Sequence, residues 1–599
     1  MKKVLATLLA LCMAVSMLVA VPVTAATVGA NDATAGYQEP QATVTASSPN
    51  AVDVETLWAA GTAIPTDAGK NYVISSAKGL CILAYWVQNG AGSVGWFSGY
   101  QFYVTAPLDM STVSADADAF ISACATDFPG IAYHTGRLFN GTFNGQGNAI
   151  SNLKMVVNAS TDTTSASPVQ CVGLFGFING ATIENVVLDD TCSITASYAV
   201  RSVGSIVGLS HNGAKSTISN CKSAMNITYH NATITQGVGG IIGGNQYTDI
   251  SGCTYSGTLS AQCQNVGGIS GQNVNTAASQ TTPYQLTNCV NTGNITCEKT
   301  GNAYVGGIIG NAYNTTVSNC INKGVVTGYA SIGGIVGFSN GKTLGISGCS
   351  NLGAVESTSG SVGGIGGYID VSTCPTIENC ENLADVSGVG NGVGGICGTV
   401  AKATNIQGCI NKAKIEGTTA ISGIVGLAAG TSHTIANCIN YGLLIGEDIS
   451  DGILGKNNDP ATVQIDSTTS KEYSESTQWV GYQTRTEAGK TDLRLVGSID
   501  TLKYNSVGFR VDVSYMDGET LVTKTIDKPL TKVYSELLAD GENVEAPAYR
   551  GADAMLFALV IKDLPTNVEL TFTVQTYSVL TQGATPADGE SAEFKVTLN

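Results

Sequence analysis

The chain has 599 residues, a formal net charge of −17, only 12% charged residues, 73 glycines, 17 cysteines and four histidines. A chain this acidic, without a cluster of Lys or Arg, excludes nucleic acid and anionic lipid as partners, since both are recognised through positive charge. The glycine content and the lack of apolar residues at helical spacing exclude a helical bundle.

Lys2 and Lys3 precede an apolar run, Val4–Ala20, and Val23-Thr24-Ala25 supplies small residues for cleavage after Ala25 or, equally, Ala26. This predicts a signal peptide over 1–25 and an exported, soluble product with no membrane span in the mature chain. Leu11 before Cys12 argues against a lipoprotein signal, which wants a small residue there. Residues 26–56, rich in Ala, Thr and Val, read as a flexible lead. Residues 57–137 hold Trp58, Trp86 and Trp96 and read as strand, short amphipathic helix (Lys78–Asn89) and strand around Tyr100–Ala106. That region is expected to cap a stack of repeats, with an aromatic glycan platform as the alternative.

Residues 138–455 carry the repeats. VGGIIG at Val238–Gly243 returns as VGGISG at Val266–Gly271, VGGIIG at Val305–Gly310 and IGGIVG at Ile332–Gly337. VGGIGG, VGGICG and ISGIVG follow at Val362, Val393 and Ile421, with looser copies from Val172, Val203 and Asp451. About ten copies with a period near thirty residues mean stacked units sharing one core. Each unit offers three β-branched runs between Gly, Asn and Ser turns, so the fold class is all-β: a parallel β-helix with three strands per coil.

A second phrase runs in step. ISNC, ISGC, LTNC, VSNC, ISGC, IENC, IQGC and IANC end at Cys221, Cys253, Cys289, Cys320, Cys349, Cys380, Cys409 and Cys438. Stacked, these predict an internal column of small buried thiols. Neighbouring rungs also fall within disulfide range, and an exported chain permits disulfides, so both redox states stand open. Metal and cofactor sites are not expected: no CxxC occurs, and the histidines are scattered.

The repeats resemble the glycine-rich GLUG motif, as in VGLFGFINGATIENVVL at 172–188 and VGGIIGNAYNTTVSNCINKGVVTG at 305–328. The lead-in LFNGTFNGQGNAISNLKM, 138–155, is similar to the segment that commonly precedes such repeats. The resemblance implies a secreted or surface protein of bacteria, many of them adhesin-like. Some zinc peptidases that cleave immunoglobulin A also carry the motif. Those need HExxH, whereas His134, His211, His230 and His433 are followed by Thr, Asn, Asn and Thr.

Charge density rises and cysteine stops beyond the repeats, placing a linker or end cap at 456–475 and a separate domain at 476–599. Runs such as VGFRVDVSY and VELTFTVQTYSV alternate at period two, with Asp517-Gly518 as a hairpin turn, which predicts an immunoglobulin-like β-sandwich of about seven strands. It looks like accessory domains of Gram-positive surface proteins; no LPxTG sorting signal follows, so retention at the cell would be non-covalent. The leading functional reading is a non-enzymatic adhesive or spacer module binding extracellular glycan, mucin or a surface protein. A polysaccharide lyase or hydrolase is the alternative, as is a structural matrix component without a ligand. The adjacent acid pairs of the repeats, Asp189-Asp190 and Glu447-Asp448, read as solvated turn residues rather than catalytic carboxylates.

Overall fold

The computed structural model describes residues 35–599 apart from 62–63, 90–96, 114–115, 117, 135, 159–169, 232–235, 275–281, 431, 443, 447, 449–451, 459–462, 466–470, 473–476, 488–489, 500–505, 531–554, 563, 580–586 and 599. The expected signal peptide, 1–25, and Trp96 lie outside the described residues.

Three sheets run the length of the repeats, with 22, 12 and 17 strands among the described residues; they are called A, B and C here. In one coil, Gly237–Gly239 lies in sheet C, Ile242–Asn245 and Thr248–Ser251 in sheet A, and Thr254–Tyr255 in sheet B, before Leu259–Ala261 returns to C. Each strand pairs in parallel with its counterpart one repeat on: Val238 with Val266, Ile250 with Leu286, Thr254 with Val290, Leu259 with Ile295. One repeat is thus one coil. It holds five short strands rather than three, because sheets A and C are each entered twice per turn. In Ile309–Ser318 and Val336–Ser347 the two sheet-A strands fuse.

The opening residue of the repeated phrase builds the core. Val238, Val266, Val305, Ile332, Val362, Val393 and Ile421 stack as a fully buried column. Burying one such side chain contributes roughly 1.5–3 kcal/mol, and each coil repeats the gain.

The stack begins before residue 138. Ala51–Asp53 pairs with Asn71–Val73, Asn71–Ile74 with Gln101–Val104, and Gln101–Tyr103 with Thr142–Asn144. The region 57–137 therefore supplies rungs as well as a cap. The cap is a helix, Ala77–Asn89, that buries Leu80, Leu83, Trp86 and Val87 in the solenoid core. Trp58 packs edge-on to Tyr85 at 5.1 Å, so the two described tryptophans of this region serve packing rather than a platform. At the far end, Val463–Ile465 pairs with His433–Ile435 and Lys471–Glu472 with Ile439–Asn440. The stretch 456–475, expected as linker or cap, thus continues the stack.

The lead, 26–56, is not free where it is described. From Ala35 to Val44 it lies along the rungs against the stacking direction. The Gly36 N–H donates to the Asn288 carbonyl (2.6 Å), the Tyr37 N–H to Thr254 Oγ1 (2.8 Å) and the Gln38 N–H to Asn220 Oδ1 (2.6 Å). Asn220 Nδ2 returns a bond to the Gln38 carbonyl (2.7 Å), and Gln146 clasps Val44 through both its amide atoms at 2.8 Å. Its small residues let the backbone approach the solenoid closely, and side-chain amides supply the partners that large apolar groups do not.

Residues 477–598 form a separate unit of two antiparallel sheets. Three strands (Thr477–Glu487, Lys490–Ile499, Met555–Ile561) face four (Ser506–Asp517, Thr520–Leu530, Glu569–Val579, Ala587–Thr597) across a shared core. Phe509 of one sheet meets Phe557 of the other at 5.0 Å, which makes the unit a β-sandwich. The hairpin loop is Gly518-Glu519, one residue later than expected, with Gly518 at φ +64° and Asp517 paired to Thr520.

Candidate functional site

The eight repeat cysteines, Cys221, Cys253, Cys289, Cys320, Cys349, Cys380, Cys409 and Cys438, are all buried free thiols. Each Sγ donates to the carbonyl two residues back, as Cys320 does to Ser318 at 3.4 Å, and the Cys320 N–H reaches Cys349 Sγ at 3.5 Å. Burial pushes the thiols of Cys221, Cys289, Cys320 and Cys380 up, because no cation in the core stabilises a thiolate. Neutral thiols inside a packed core are poor nucleophiles and poor metal ligands. Cys374, by contrast, is exposed.

The residue before each column cysteine explains why the phrase alternates between Asn and Gly. Asn220, Asn288, Asn319, Asn379 and Asn437 sit at φ between 50° and 54°, and Gly252, Gly348 and Gly408 between 58° and 63°. Only these residue types enter the left-handed region at low cost.

Two residues after six of the cysteines stands a second internal column that the sequence reading missed. Asn291, Asn322, Asn351, Asn382, Asn411 and Asn440 are fully buried, and the Nδ2 of each of the first five donates to the next Oδ1 at 2.8 Å. Its signal in the sequence is Cys-x-Asn, but Asn between strands reads equally well as turn chemistry. The same amides explain the second glycine of VGGIxG: a Cβ on Gly334 would collide with Asn351 and with the Gly364 carbonyl.

Of the acid pairs, Asp189 and Asp448 are tied to backbone N–H groups. Asp189 Oδ1 accepts from the Thr191 N–H (3.1 Å) and Oγ1 (2.5 Å), closing a turn. Asp448 Oδ2 accepts from the Ala420 N–H at 3.2 Å; Glu447 lies outside the described residues. His433 is buried with neither ring nitrogen partnered, and desolvation holds its pKa below the usual value. Among the described residues no group of three or more His, Cys, Asp or Glu is placed to hold a metal ion.

Outside, the repeated phrase makes a re-entrant corner. The residues before the opening Val form a column on sheet C and the residues six after it a column on sheet A; the two columns meet, within one rung for Asn265 and Gln272 and across adjacent rungs for Ser361 with Thr399 and Tyr304 with Phe338. Asn265 Nδ2 donates to Gln272 Oε1 (3.0 Å), Ser361 Oγ contacts Thr399 Oγ1 (2.6 Å), and Tyr304 stacks on Phe338 at 4.1 Å. Phe338 stacks in turn on Tyr368 at 5.7 Å. The closing glycine permits the corner, since a Cβ on Gly310 would lie 2.6 Å from the Val266 backbone nitrogen. The result is a seam along the solenoid whose polar and aromatic lining changes from rung to rung. At its amino-terminal end Leu138, Cys171, Phe177 and Leu209 fill it as a small apolar cluster, with Arg201 6.0 Å above the Phe177 ring.

No protein-family model matches this chain, and no curated protein does. A solved structure described as a putative immunoglobulin A1 protease from Bacteroides ovatus is similar over 59% of this chain and 79% of that one, at 19% identity and a TM-score of 0.26. At that score the likeness carries no argument about this chain. The class is defined by its own sheets: a parallel β-solenoid followed by a β-sandwich. Among the described residues no helix is long and apolar enough to cross a membrane.

Proposed function

We propose that the chain is an exported bacterial repeat protein of the GLUG type that binds an extracellular glycan or surface protein and does not transform it. The observation that carries this reading is the division of chemistry between inside and outside. Reactive groups of the repeats serve structure: the column thiols lie in the core, Asp189 closes a turn, and Asp448 accepts from the Ala420 N–H of the preceding coil. The outer seam instead presents half-buried rings beside side-chain amides, groups able to contact a ligand. Four successive rungs of this kind, from Asn265 to Tyr368, favour a long ligand over a small metabolite.

The test is equilibrium binding of the purified chain to immobilised plant, host and bacterial polysaccharides, mucin and matrix proteins. Saturable binding to at least one surface, competed by the same ligand in solution, is expected. Flat responses across the panel would overturn the reading in favour of a structural matrix component.

A further inference from the structure

The seam between sheets A and C is, we propose, a binding site for a neutral oligosaccharide, centred on Asn265, Gln272, Tyr304, Asn311, Phe338 and Tyr368. The proposal rests on the adhesive reading above and gives it a ligand class and an address.

Charge is the first argument. No acidic or basic residue occupies either column of the seam from the rung of Gly237 to that of Leu427. The charges that reach Tyr368, Lys402 and Asp370, pair with each other at 2.7 Å, so neither an anionic polysaccharide nor a cationic peptide finds an unpaired partner there.

One buried acceptor of the seam lacks a partner. Asn311 is 7% exposed; its Nδ2 donates to Asn265 Oδ1 at 3.4 Å, while its Oδ1 has no partner. Buried side-chain acceptors are satisfied in the great majority of structures; this one is covered in the free chain, and a donor from outside reaches it when the long 3.4 Å Asn265–Asn311 bond opens. A sugar hydroxyl both donates and accepts, and the neighbouring amides of Asn265 and Gln272 can engage the rest of its edge.

The rings supply the remainder. Tyr304, Phe338 and Tyr368 are partly exposed and stack along the rod, so each end ring keeps one face uncovered by the stack. Tyr304 is the end beside the rung of Asn265, with which its backbone pairs. An aromatic face beside a row of amides matches a pyranose, which has an apolar C–H face and a hydroxyl rim. An extended peptide fits less well. It would need free backbone donors and acceptors, and those beside the seam are engaged in rung-to-rung pairing, as Asn265 with Tyr304 and Tyr304 with Ser331. With rungs about 4.8 Å apart, the stretch from Asn265 to Tyr368 spans on the order of 15 Å, enough for several sugar units.

The test is calorimetric titration of the purified chain with neutral oligosaccharides derived from mannan, β-glucan and galactan, and with polygalacturonate as the acidic counterpart. Saturable, salt-insensitive binding of a neutral probe is expected. Asn311→Ala should weaken it about tenfold or more; the variant also loses the Nδ2 bond to Asn265, so its unfolding midpoint is measured alongside and binding is compared only while it stays folded. Tyr304→Ala should weaken it further, and Tyr304→Phe, which keeps the ring and stack, should retain most of it. Neutral binding that survives Asn311→Ala and Tyr304→Ala would overturn the seam while leaving the adhesive reading intact. Binding only of polygalacturonate, or only of protein surfaces, would overturn the neutral-sugar assignment alone. Binding of nothing would overturn both.

Discussion

Asn322 Nδ2 donates to Asn351 Oδ1 at 2.8 Å across adjacent coils, and both side chains are fully buried. The bond is one link of a ladder that ties each coil's register to the next. Asn351→Leu keeps the branching of the side chain, with bulkier methyl ends, but leaves Asn322 Nδ2 and Asn382 Oδ1 each short of a partner. The expected loss is about 2–4 kcal/mol, read as a lowered urea midpoint. Asn405→Leu, at a partly exposed position on sheet A, serves as the control and should change the midpoint little.

Gly334 and Gly345 lie in the same coil and should respond oppositely to one methyl group. A Cβ on Gly334 collides with Asn351 and a backbone carbonyl; on Gly345 it meets only the Thr316 side chain at 3.7 Å. Gly334→Ala should destabilise by about 2 kcal/mol or more, whereas Gly345→Ala should stay within about 0.5 kcal/mol. Equal midpoints for the two variants would refute the packing of the ladder against the phrase.

At the corner before Cys320, Asn319 sits at φ 52°. Asn319→Gly should be nearly silent, because glycine stands at the matching place before Cys349 and Cys409. Asn319→Val should lose roughly 1–2 kcal/mol from the left-handed strain. Thermal melts of the pair decide it.

His433 makes the carboxy-terminal end of the stack acid-sensitive. Its folded pKa lies below the unfolded value because burial disfavours the charged ring. Its contribution is therefore fully present above the unfolded pKa of about 6.5 and is lost as pH falls toward the folded value. The unfolding midpoint should drop below pH ~6.5, and His433→Leu should flatten that part of the profile. An unaltered profile in the variant would place the sensitivity elsewhere.

Thiol labelling separates the column from the surface. In the native chain Cys374 should react quickly with a maleimide, while Cys221 through Cys438 of the column react only on unfolding. Rapid labelling of Cys320 or Cys380 before unfolding would mean that the column is not interior.

The stack and the thiol column were readable because each rests on a residue type recurring at a fixed period. Val238 and Cys253 repeat on every rung, and apolar identity alone says that they point inward. The asparagine ladder was written just as regularly at Asn322 and Asn351, yet a polar residue between strands has two meanings, and only the coil's closed cross-section selects the buried one. The seam was hidden for a different reason. The glycine before Asn311 breaks the in–out alternation, so the outward direction of Asn311 and its meeting with Asn265 could not be counted from the phrase. The bound lead was beyond sequence altogether: Tyr37 finds Thr254 across 217 residues, and nothing local to Tyr37 announces that partner.

The most direct test of binding without transformation is a single incubation. The purified chain is held with whichever polysaccharide it retains, and bound protein and new chain ends, reducing and unsaturated, are measured over time. The account predicts saturable binding with no ends above the protein-free control. Ends that accumulate with time and in proportion to protein would contradict it and make the rod an enzyme.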